Sequence, residues 1–454
     1  MRIFKKAAVF LVAFFLVEQI AVFLLEPVTF AHFLSFDKKE TAREKEAIDI
    51  AFFGDSRAIR TFYPDIFEEE MDGIGAVINE GVNQQHIAST YFYLKDYVNR
   101  YPLKYAVVNL NYDYFLNTTE DVTIAKGLTL DRISSPFVAA EFIKERFSLR
   151  EYPDVLKSYR YRHNMDEIFE TAAEKLTPEY WKGIDTREDI HYVSKGYATW
   201  DLTYKQGNVG TPAGCFVWSE ETVEPEYLLY LDKIAALCKE KNVQLYFVES
   251  PITVSRMYAI EGYREFDRTI REKCDALDVP FWNLNLLKED NISVYDPNFT
   301  DTEHLNDKGS EKTSRLLASL LKLDMEGKDV SSFFYEDFDA FNEECAQIGS
   351  CDLFVWDADT QWEQIQFDKL GNKEPQKGQL VLLGSAYAAE TITPLYCFSV
   401  TYDGGKTYSV LQDYSTEPVL IIDKDELQKG AEFRIDTKPE TGADLHHCYR
   451  RTLD

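Results

Sequence analysis

Short apolar runs alternate with helical stretches along the first 330 residues of this 454-residue chain, and this alternation is the feature that most constrains its fold. The strands predicted before residue 117 are Ile48–Phe53, Ala76–Val82 and Tyr105–Leu110, with helices at Ser56–Met71 and His86–Asn99. After residue 222 the pattern predicts helices at Tyr227–Lys241, Arg256–Ala276 and Lys308–Leu323 and strands at Val243–Glu249 and Pro280–Leu284. Apolar strands alternating with helices are typical of a parallel sheet covered by helices. We therefore predict an α/β domain over residues 47–330.

Residues 117–222 interrupt this pattern with a stretch rich in Tyr, Arg and charge. Helical periodicity returns within it only near Ala139–Phe147 and Met165–Lys175. We predict an insertion in the α/β domain. Two roles stay open for it, a roof over the functional site and a cap that binds a partner.

Beyond residue 330 the helical period is lost, and residues 331–454 are predicted to form a small β-sandwich-like domain. Its predicted strands are Phe398–Tyr402, Thr407–Leu411, Val419–Ile422 and Glu432–Ile435. Asp403-Gly404-Gly405 supplies a hairpin turn between the first two of these strands.

The amino terminus carries an apolar run from Ala7 to Leu25, preceded by Arg2, Lys5 and Lys6. Nineteen helical residues reach roughly 28 Å, close to the hydrocarbon core of a bilayer. The basic flank favours a cytoplasmic amino terminus, so the bulk of the chain is expected outside the cytoplasm. We predict a cytoplasmic stub and transmembrane anchor over residues 1–30 and a charged spacer over 31–46. A cleaved signal peptide is the alternative, although no A-x-A-like site ends the run.

Glu18 lies inside this apolar run, where an ionisable side chain is costly and usually faces protein. Two interpretations stay open, a contact with a membrane partner and a protonated side chain in a tolerant span.

The net charge of −29 argues against nucleic acid as a partner, because phosphates require clustered Lys and Arg. The seven cysteines lack CxxC spacing, and His446-His447-Cys448 has no further ligands nearby, so we expect neither a metal nor a cofactor. Outside the cell, Cys345 with Cys351 and Cys397 with Cys448 could form disulfides, and the odd count leaves at least one thiol over.

Gly54-Asp55-Ser56 follows directly on the first predicted strand and begins a helix. Ser56 therefore lies at the carboxyl end of a parallel strand, where open α/β sheets place their active sites. Backbone amides at the start of that helix could stabilise a developing oxyanion. The sequence predicts Ser56 as a nucleophile. The next residue, Arg57, is expected to be solvated, with a pairing to an anionic substrate group as the alternative.

Asp301 and His304 lie three residues apart on the loop that enters the last helix of the α/β domain. At that spacing both side chains can turn to one edge of the sheet. His304 would accept the Ser56 proton as a general base, and Asp301 would orient the imidazole and stabilise its cation. Alone, the pair would be more simply a helix cap and a surface residue.

These two motifs resemble the first and last motif blocks of SGNH (GDSL-type) hydrolases. Residues 301–309, DTEHLNDKG, are similar to the D-x-x-H-L-N-x-x-G of membrane-anchored cell-envelope members, such as D-alanine-transfer proteins of teichoic acid modification and acetyl-transfer proteins of exopolysaccharides. The resemblance covers about residues 47–323. It implies a flavodoxin-like fold, Ser-His-Asp ester chemistry and often a membrane-bound O-acyltransferase as partner.

The middle blocks depart from the family pattern. In the run from Asn79 to Gln84, Gln84 replaces the family's glycine, although its backbone N–H could still donate. After the third strand, Asp113 takes the position of the oxyanion-hole Asn, and an ionised carboxylate there would oppose the developing negative charge. Asn83 and Asn111 are candidate substitute donors.

The sequence therefore predicts a membrane-anchored, extracytoplasmic serine esterase or acyltransferase acting on O-acyl groups of cell-envelope glycans or polymers. The alternative is a catalytically weak or inactive domain that binds a glycan or scaffolds a membrane O-acyltransferase. Whether water or a sugar hydroxyl takes the acyl group stays open.

Overall fold

The computed structural model describes residues 2–44, 48–116, 122–188, 190–203, 216–288, 292–294, 296–360, 374–441 and 447–452. Its α-helices are α1 Arg2–Leu25, α2 Phe30–Glu44, α3 Ser56–Thr61, α4 Pro64–Glu70, α5 Ile87–Arg100, α6 Thr123–Leu130, α7 Pro136–Arg146, α8 Lys157–Arg160, α9 Ile168–Lys175, α10 Pro178–Lys182, α11 Pro225–Lys241, α12 Val254–Ala259, α13 Tyr263–Leu277, α14 Asp307–Met325 and α15 Phe338–Cys345. Its strands are β1 Ile48–Phe53, β2 Ala76–Asn79, β3 Leu103–Asn109, β4 Ile190–Ser194, β5 Tyr197–Trp200, β6 Phe216–Val217, β7 Gln244–Glu249, β8 Ile260–Glu261, β9 Phe281–Asn283, β10 Ile348–Asp357, β11 Gln379–Ala388, β12 Pro394–Thr401, β13 Ser409–Ser415, β14 Val419–Asp423, β15 Glu432–Pro439 and β16 His447–Thr452.

The central sheet has the strand order β2-β1-β3-β7-β9, and each neighbouring pair in it is parallel. The predicted parallel α/β sheet is thus confirmed. Counted in chain order, these strands follow the order 2-1-3-4-5, which is that of flavodoxin-like doubly wound sheets. The order reverses between β1 and β3, and this switch point is where such sheets place their ligands.

Both faces of this sheet are covered, which explains why its strands are mostly apolar. The exception in β1 is Asp49, whose carboxylate accepts from Gly75 N and pairs with Lys104, at 2.8 Å each. On β1 the side chains of Ile50 and Phe52 pack into one hydrophobic cluster, with α14, while Ala51 and Phe53 pack into the other. Every residue of β1 is buried. Alternating side chains point to opposite faces of a strand, so a strand buried on both sides must be apolar at both registers.

Two of the predicted helices are broken in the structure. The predicted helix Ser56–Met71 is α3 and α4, because Phe62 and Tyr63 are extended and Pro64 starts a new helix. The predicted helix Arg256–Ala276 is α12 and α13. Between them Gly262 has φ +83°, and a Cβ at that position would approach the carbonyl oxygen of Trp218 to 2.2 Å.

The second strand ends at Asn79 and not at Val82 as predicted. The side-chain nitrogen Nδ2 of Asn79 donates to the carbonyl oxygens of Ala58 and Phe62, at 2.8 Å each. Its Oδ1 accepts from Gly81 N at 3.0 Å. The Asn79 side chain therefore links the end of β2 to α3 and to the residue that ends it.

The insertion consists of helices α6 to α10, the hairpin β4–β5 and the short strand β6. The predicted helical pieces correspond to α7 and α9. The hairpin docks on the end of β2, where Asn79 N donates to Lys195 O at 2.8 Å. The helices α8 and α9 pack against α1.

The carboxy-terminal region forms two antiparallel sheets, β10-β11-β14 and β13-β12-β15-β16. Side chains from both sheets share one core that includes Leu353, Leu382, Phe398 and Ile435, so the region is a sandwich, as predicted. The strands β10, β11 and β16 were not foreseen. Helix α15, which follows residue 330, packs with the α/β core through Phe338 and Phe341.

Neither suggested disulfide is present. Cys345 and Cys397 carry free thiols. Cys397 and Cys448 both lie opposite Asp436, one on each side of β15. Two strand spacings separate their backbones by about 9–10 Å, which exceeds the reach of a disulfide.

The amino-terminal region is more helical than predicted, because the expected spacer of residues 31–46 contains most of α2. Over the described residues, no helix taken singly combines the length and the apolarity that a membrane crossing requires. Val9–Leu25 and Phe30–Lys38 satisfy those requirements only as a pair, with a bend of 115° between them.

Candidate active site

Ser56 is the first residue of α3 and lies immediately beyond the carboxyl end of β1. Asp55 caps this helix, because its side chain accepts from Arg57 N at 2.9 Å. Gly54 has φ +145°, and a Cβ there would lie 2.8 Å from the Asn109 Cβ. Only glycine therefore lets the chain turn into α3 this close to β3.

Asp301 and His304 lie on a tight loop before α14. Phe299 and Leu305 pair across the base of this loop, and both are buried in a small cluster with Ile292. Asn306 caps α14 by accepting from Gly309 N at 3.0 Å. This arrangement accounts for the residues that follow His304 in the motif, because Leu305 anchors the loop and Asn306 starts the helix.

Gly309 completes that motif for a steric reason. A Cβ at this position would lie 2.1 Å from the carbonyl oxygen of Asn298, which is the backbone that runs beside the first turn of α14. The same backbone is fixed by the hydrogen bond from Asn306 N to Asn298 O at 3.0 Å.

The structure brings Ser56, His304 and Asp301 together, although 248 residues separate the first two. Ser56 Oγ lies 2.8 Å from His304 Nε2. His304 Nδ1 lies 2.9 and 3.0 Å from the two carboxylate oxygens of Asp301. If Nδ1–H donates to Asp301, Nε2 carries the lone pair that can accept the Ser56 proton.

The charge of Asp301 is stabilised by its neighbours. Desolvation opposes ionisation, but hydrogen bonds from the His304 ring and from the backbone amides of Glu303 and His304 outweigh it and lower the pKa of Asp301 to about 2. Asp301 is therefore ionised across the neutral range. An ionised carboxylate at this position stabilises an imidazolium when His304 takes up a proton.

A cavity of about 270 Å³ opens beside Ser56. It is lined by Asp55, Ser56, Arg57, Gln84, Gln85, His86, Asp113, Tyr114, Val122 and Glu303. All of these residues except Val122 carry a polar group, and polar and apolar atoms contribute about equally to the lining, which suits a small acyl group on a polar acceptor. In the part of the chain that the structure describes, no group of three or more His, Cys, Asp or Glu is arranged to hold a metal ion.

Two of the four candidate oxyanion residues line this cavity. Gln84 is exposed there and has φ +56°, and Asp113 lies opposite it on a 3-10 turn, Tyr112–Phe115. Asn83 instead lines a separate cavity beside the α1–α2 junction. The side chain of Asn111 is engaged elsewhere, because its nitrogen donates to Asp55 and its oxygen accepts from Asn109 at 2.9 Å.

Arg57 is not the solvated residue that we expected, because only 2% of it is exposed. Its Nη2 lies 3.4 Å from Asp113 Oδ1 and 4.0 Å from Glu303 Oε2, and its guanidinium lies 5.2 Å from the ring centre of Tyr112. Glu303 also pairs with Arg256. Arg57 thus joins the loop after β3 to the loop that carries His304.

Sequence reasoning missed this ion-pair cluster. The signal in the sequence is the place of Arg57, directly after Ser56 at the carboxyl end of a buried strand. In the structure Arg57 lies on the buried side of α3, whereas Ser56 and Arg60 are partly exposed. A buried guanidinium requires charged partners, and Asp113 and Glu303 are within reach.

Burial raises the pKa of Asp113 to about 6, and Arg57 opposes that rise. Burial similarly raises the pKa of Asp55, whereas for Glu303 it is outweighed by Arg57 and Arg256, so that pKa is lowered. The Asp113 carboxylate is therefore mostly ionised at neutral pH, but it changes charge under mildly acidic conditions.

Comparisons with known proteins add little to this geometry. No family model matches the chain, and no curated protein matches it. Among solved structures, a GDSL-like lipase from Bacteroides thetaiotaomicron is similar at 13% identity over 66% of this chain and 99% of that chain, with a TM-score of 0.31. A modular endo-β-1,4-mannanase from Cellulomonas fimi is 8% identical over 94% of this chain and 98% of that chain, with a TM-score of 0.15. At these low scores, any assignment rests on the site itself.

Proposed function

We propose that this protein is a membrane-anchored, extracytoplasmic serine esterase or acyltransferase that acts on O-acyl groups of cell-envelope glycans or polymers. The observation that carries the proposal is the continuous hydrogen-bonded line from Ser56 through His304 to Asp301. In an α/β sheet, a serine held against an imidazole that is itself held against a carboxylate is the arrangement of acyl-transfer chemistry.

In the proposed mechanism, Ser56 Oγ attacks the ester carbonyl while His304 Nε2 takes its proton, and Asp301 stabilises the imidazolium. The tetrahedral oxyanion then receives hydrogen bonds from backbone amides near Ser56 and Gln84. His304 returns the proton to the leaving alcohol, which leaves an acyl-serine. A second hydroxyl, from water or from a sugar, releases the acyl group by the same steps in reverse.

Esterase chemistry is supported further by the polar lining of the cavity, which suits a small acyl group on a hydroxyl-rich acceptor. Membrane anchoring is supported by the apolar run Ala7–Leu25 and its basic flank. A membrane-bound O-acyltransferase is the partner that we propose, on the resemblance of residues 301–309 to envelope acyl-transfer proteins.

A fluorophosphonate probe on the full-length protein in detergent tests the catalytic assignment. We expect covalent labelling at one serine, seen by intact mass and mapped to Ser56, and its loss in Ser56→Ala. Ser331→Ala removes an exposed serine from a turn beyond α14 and is the matched control, which should label like the wild type. Absence of labelling in a folded wild-type protein would contradict the proposal.

A second function is favoured by one observation. Asp113, ionised beside Arg57, lies where an amide donor is expected, and this weakens the oxyanion site at neutral pH. A glycan-binding or scaffolding domain with little turnover would tolerate such a replacement. Hydrolysis of a small acetyl ester by the wild type, with no hydrolysis by His304→Ala, would decide for the enzyme. Binding of an acylated glycan without any turnover would decide for the second function.

A further inference from the structure

The insertion exposes apolar side chains on the same part of the molecule that contacts α1. Met165, Phe169 and Leu176 are 64%, 88% and 71% exposed. Phe169 and Leu176 are seven residues apart, two helical turns, and therefore lie on the same side of α9, whereas Met165 lies in the 3-10 turn that precedes α9. Trp181 on the following helix α10 is also exposed. We call these four residues the apolar face of the insertion.

The elements that carry this face are hydrogen-bonded to the last two turns of α1. Lys175, on α9, donates to the carbonyl oxygen of Phe23 at 2.8 Å. Asn164, just before α9, donates to the carbonyl oxygen of Leu25 at 3.2 Å. These bonds satisfy carbonyl groups that the end of a helix would otherwise leave without partners.

Glu18 is fixed by the same part of the insertion. Its carboxylate accepts from Ser158 N at 2.9 Å and from the Ser158 hydroxyl. The partner of this carboxylate is therefore within the chain, on α8. Of the two interpretations of Glu18, the structure favours a contact with protein, and the protein is the insertion.

These contacts set the depth of the insertion relative to a bilayer that holds α1. From Lys6, at the basic flank, Glu18 lies about 18 Å along the helix and Leu25 about 28 Å. A hydrocarbon core is about 30 Å thick, and any tilt of α1 shortens both distances along the membrane normal. Segments bonded to residues 18–25 must then lie at the depth of the outer leaflet.

The charges of the insertion are compatible with that depth. Residues 122–188 contain eleven Lys and Arg against twelve Asp and Glu, whereas the whole chain contains 49 against 78. Charged groups next to α1 are also paired, since Lys157 lies 2.5 Å from Glu26 and Arg160 lies 2.9 Å from Asp131. The apolar face itself is bordered by four exposed carboxylates, those of Asp166, Glu167, Glu170 and Glu174. These charges disfavour an anionic lipid surface, so the occupant that we propose for the face is a zwitterionic bilayer.

We propose that the apolar face of the insertion, formed by Met165, Phe169, Leu176 and Trp181, is immersed in the outer leaflet of the bilayer that holds α1. This inference rests on the anchoring part of the proposed function and is independent of the chemistry at Ser56. In this arrangement the insertion is the part of the molecule that rests on the membrane, and we call it the platform.

The platform also orients the cavity beside Ser56, because the insertion is bonded to the loop that forms one wall of it. Gln85 Nε2 donates to Thr129 Oγ1 on α6 at 3.1 Å, and Arg132 donates to the carbonyl oxygen of Glu80 at 3.3 Å. Val122, at the start of the insertion, lines the cavity itself. The cavity is consequently held at a fixed height above the lipid, within reach of substrates carried at the membrane surface.

Photo-crosslinking of the full chain in phosphatidylcholine vesicles tests this inference. The probe is a phosphatidylcholine with a diazirine on its acyl chain, and adducts are mapped by mass spectrometry after irradiation. We expect adducts on α1 and on the peptide holding residues 165–176. In Phe169→Ser/Leu176→Ser, adducts on that peptide should fall at least severalfold while those on α1 persist. Both side chains are exposed, so the fold should tolerate the change.

Leu229 and Val410 are exposed apolar residues on α11 and β13 and serve as internal controls that should acquire no adducts. Adducts on α1 without adducts on residues 165–176 would overturn the inference and leave the anchor standing. The same result, with crosslinks from this face to a protein in native membranes, would assign it to a protein partner instead. Equal labelling of the control residues would indicate random collision and also overturn it. Without adducts on α1, the anchor itself fails and the inference fails with it.

Discussion

Replacing Asp113 by Asn exchanges a titratable carboxylate for an amide in the cavity beside Ser56. Asp113 lies 3.4 Å from Arg57, and burial raises its pKa to about 6. As an ionised carboxylate it opposes an oxyanion, and as a protonated carboxyl it can donate a hydrogen bond. Only the protonated fraction of the wild type then has the donor, whereas Asp113→Asn has it at every pH.

The expected magnitude follows from this pKa. With a pKa of about 6, about one tenth of Asp113 is protonated at pH 7 and about nine tenths at pH 5. Asp113→Asn should therefore be about tenfold faster than the wild type at pH 7 and nearly equal to it at pH 5, if the two donors are equally effective. The ratio of wild type to variant should rise about tenfold as the pH falls from 7 to 5.

The assay is kcat/KM for a small chromogenic acetyl ester between pH 5 and 8, with the full chain in detergent. Any effect of pH on the absolute rates that is common to the two proteins cancels from their ratio. Asp307→Asn is the matched control, because it removes a carboxylate from the first turn of α14 near the same sheet edge. Its ratio to the wild type should be flat.

A flat ratio for Asp113→Asn, with no gain at pH 7, would refute this reasoning. The carboxylate would then not face the oxyanion, and backbone amides near Ser56 and Gln84 would form the site alone. A variant slower than the wild type at every pH would mean that the pair with Arg57 holds the loop in place.

Asp301→Asn should lower kcat by about 10⁴ with little change in stability, because the amide no longer holds the His304 ring in the required tautomer. A loss of less than tenfold in a steady-state ester assay would contradict the assignment of Asp301 to the triad. Gly54→Ala should destabilise the protein by about 3 kcal/mol or more in chemical denaturation, because it combines a positive φ with a Cβ 2.8 Å from Asn109, and a change below 1 kcal/mol would contradict that account. Glu249 is fully buried, and burial raises its pKa well above the usual range. The stability that protonated Glu249 contributes is complete below the pKa of this group in the unfolded chain and is lost as the pH rises. The free energy of unfolding of the wild type should therefore fall relative to that of Glu249→Gln between pH 5 and 8. A constant difference between the two free energies over that range would contradict this expectation.

Much of the fold was predictable because local patterns encode it. All residues of β1 except Asp49 are apolar, so Ile48–Phe53 was recognised as a strand buried on two faces. The sandwich was only partly predicted, because β10 and β11 carry polar residues among their apolar ones and lie on either side of a long connection. The broken helices were missed since Phe62 and Gly262 interrupt helical periods for reasons of local packing that the pattern does not record.

For the site, the motifs identified the candidate residues, but not which groups each of them contacts. Asn111 had the right residue type for an oxyanion donor, yet its amide is bonded to Asp55 and Asn109. Arginine is a residue type that usually lies at the surface, yet Arg57 is buried between Asp113 and Glu303. Hydrogen-bond partners of this kind come from separate loops, and the distances between loops are not encoded in either one alone.

The sequence by itself determined the parallel sheet, the insertion, the position of Ser56 after β1 and the spacing of Asp301 and His304, because each depends on residues that are neighbours in the chain. Only the tertiary structure decided that Ser56 and His304 lie 2.8 Å apart across 248 residues, that Glu18 meets Ser158, and that Arg57 bridges two loops. The physical reason is that the strand order brings the carboxyl ends of strands that are distant in the chain to one edge of the sheet. A charged group buried at that edge is stable only beside a group of opposite charge.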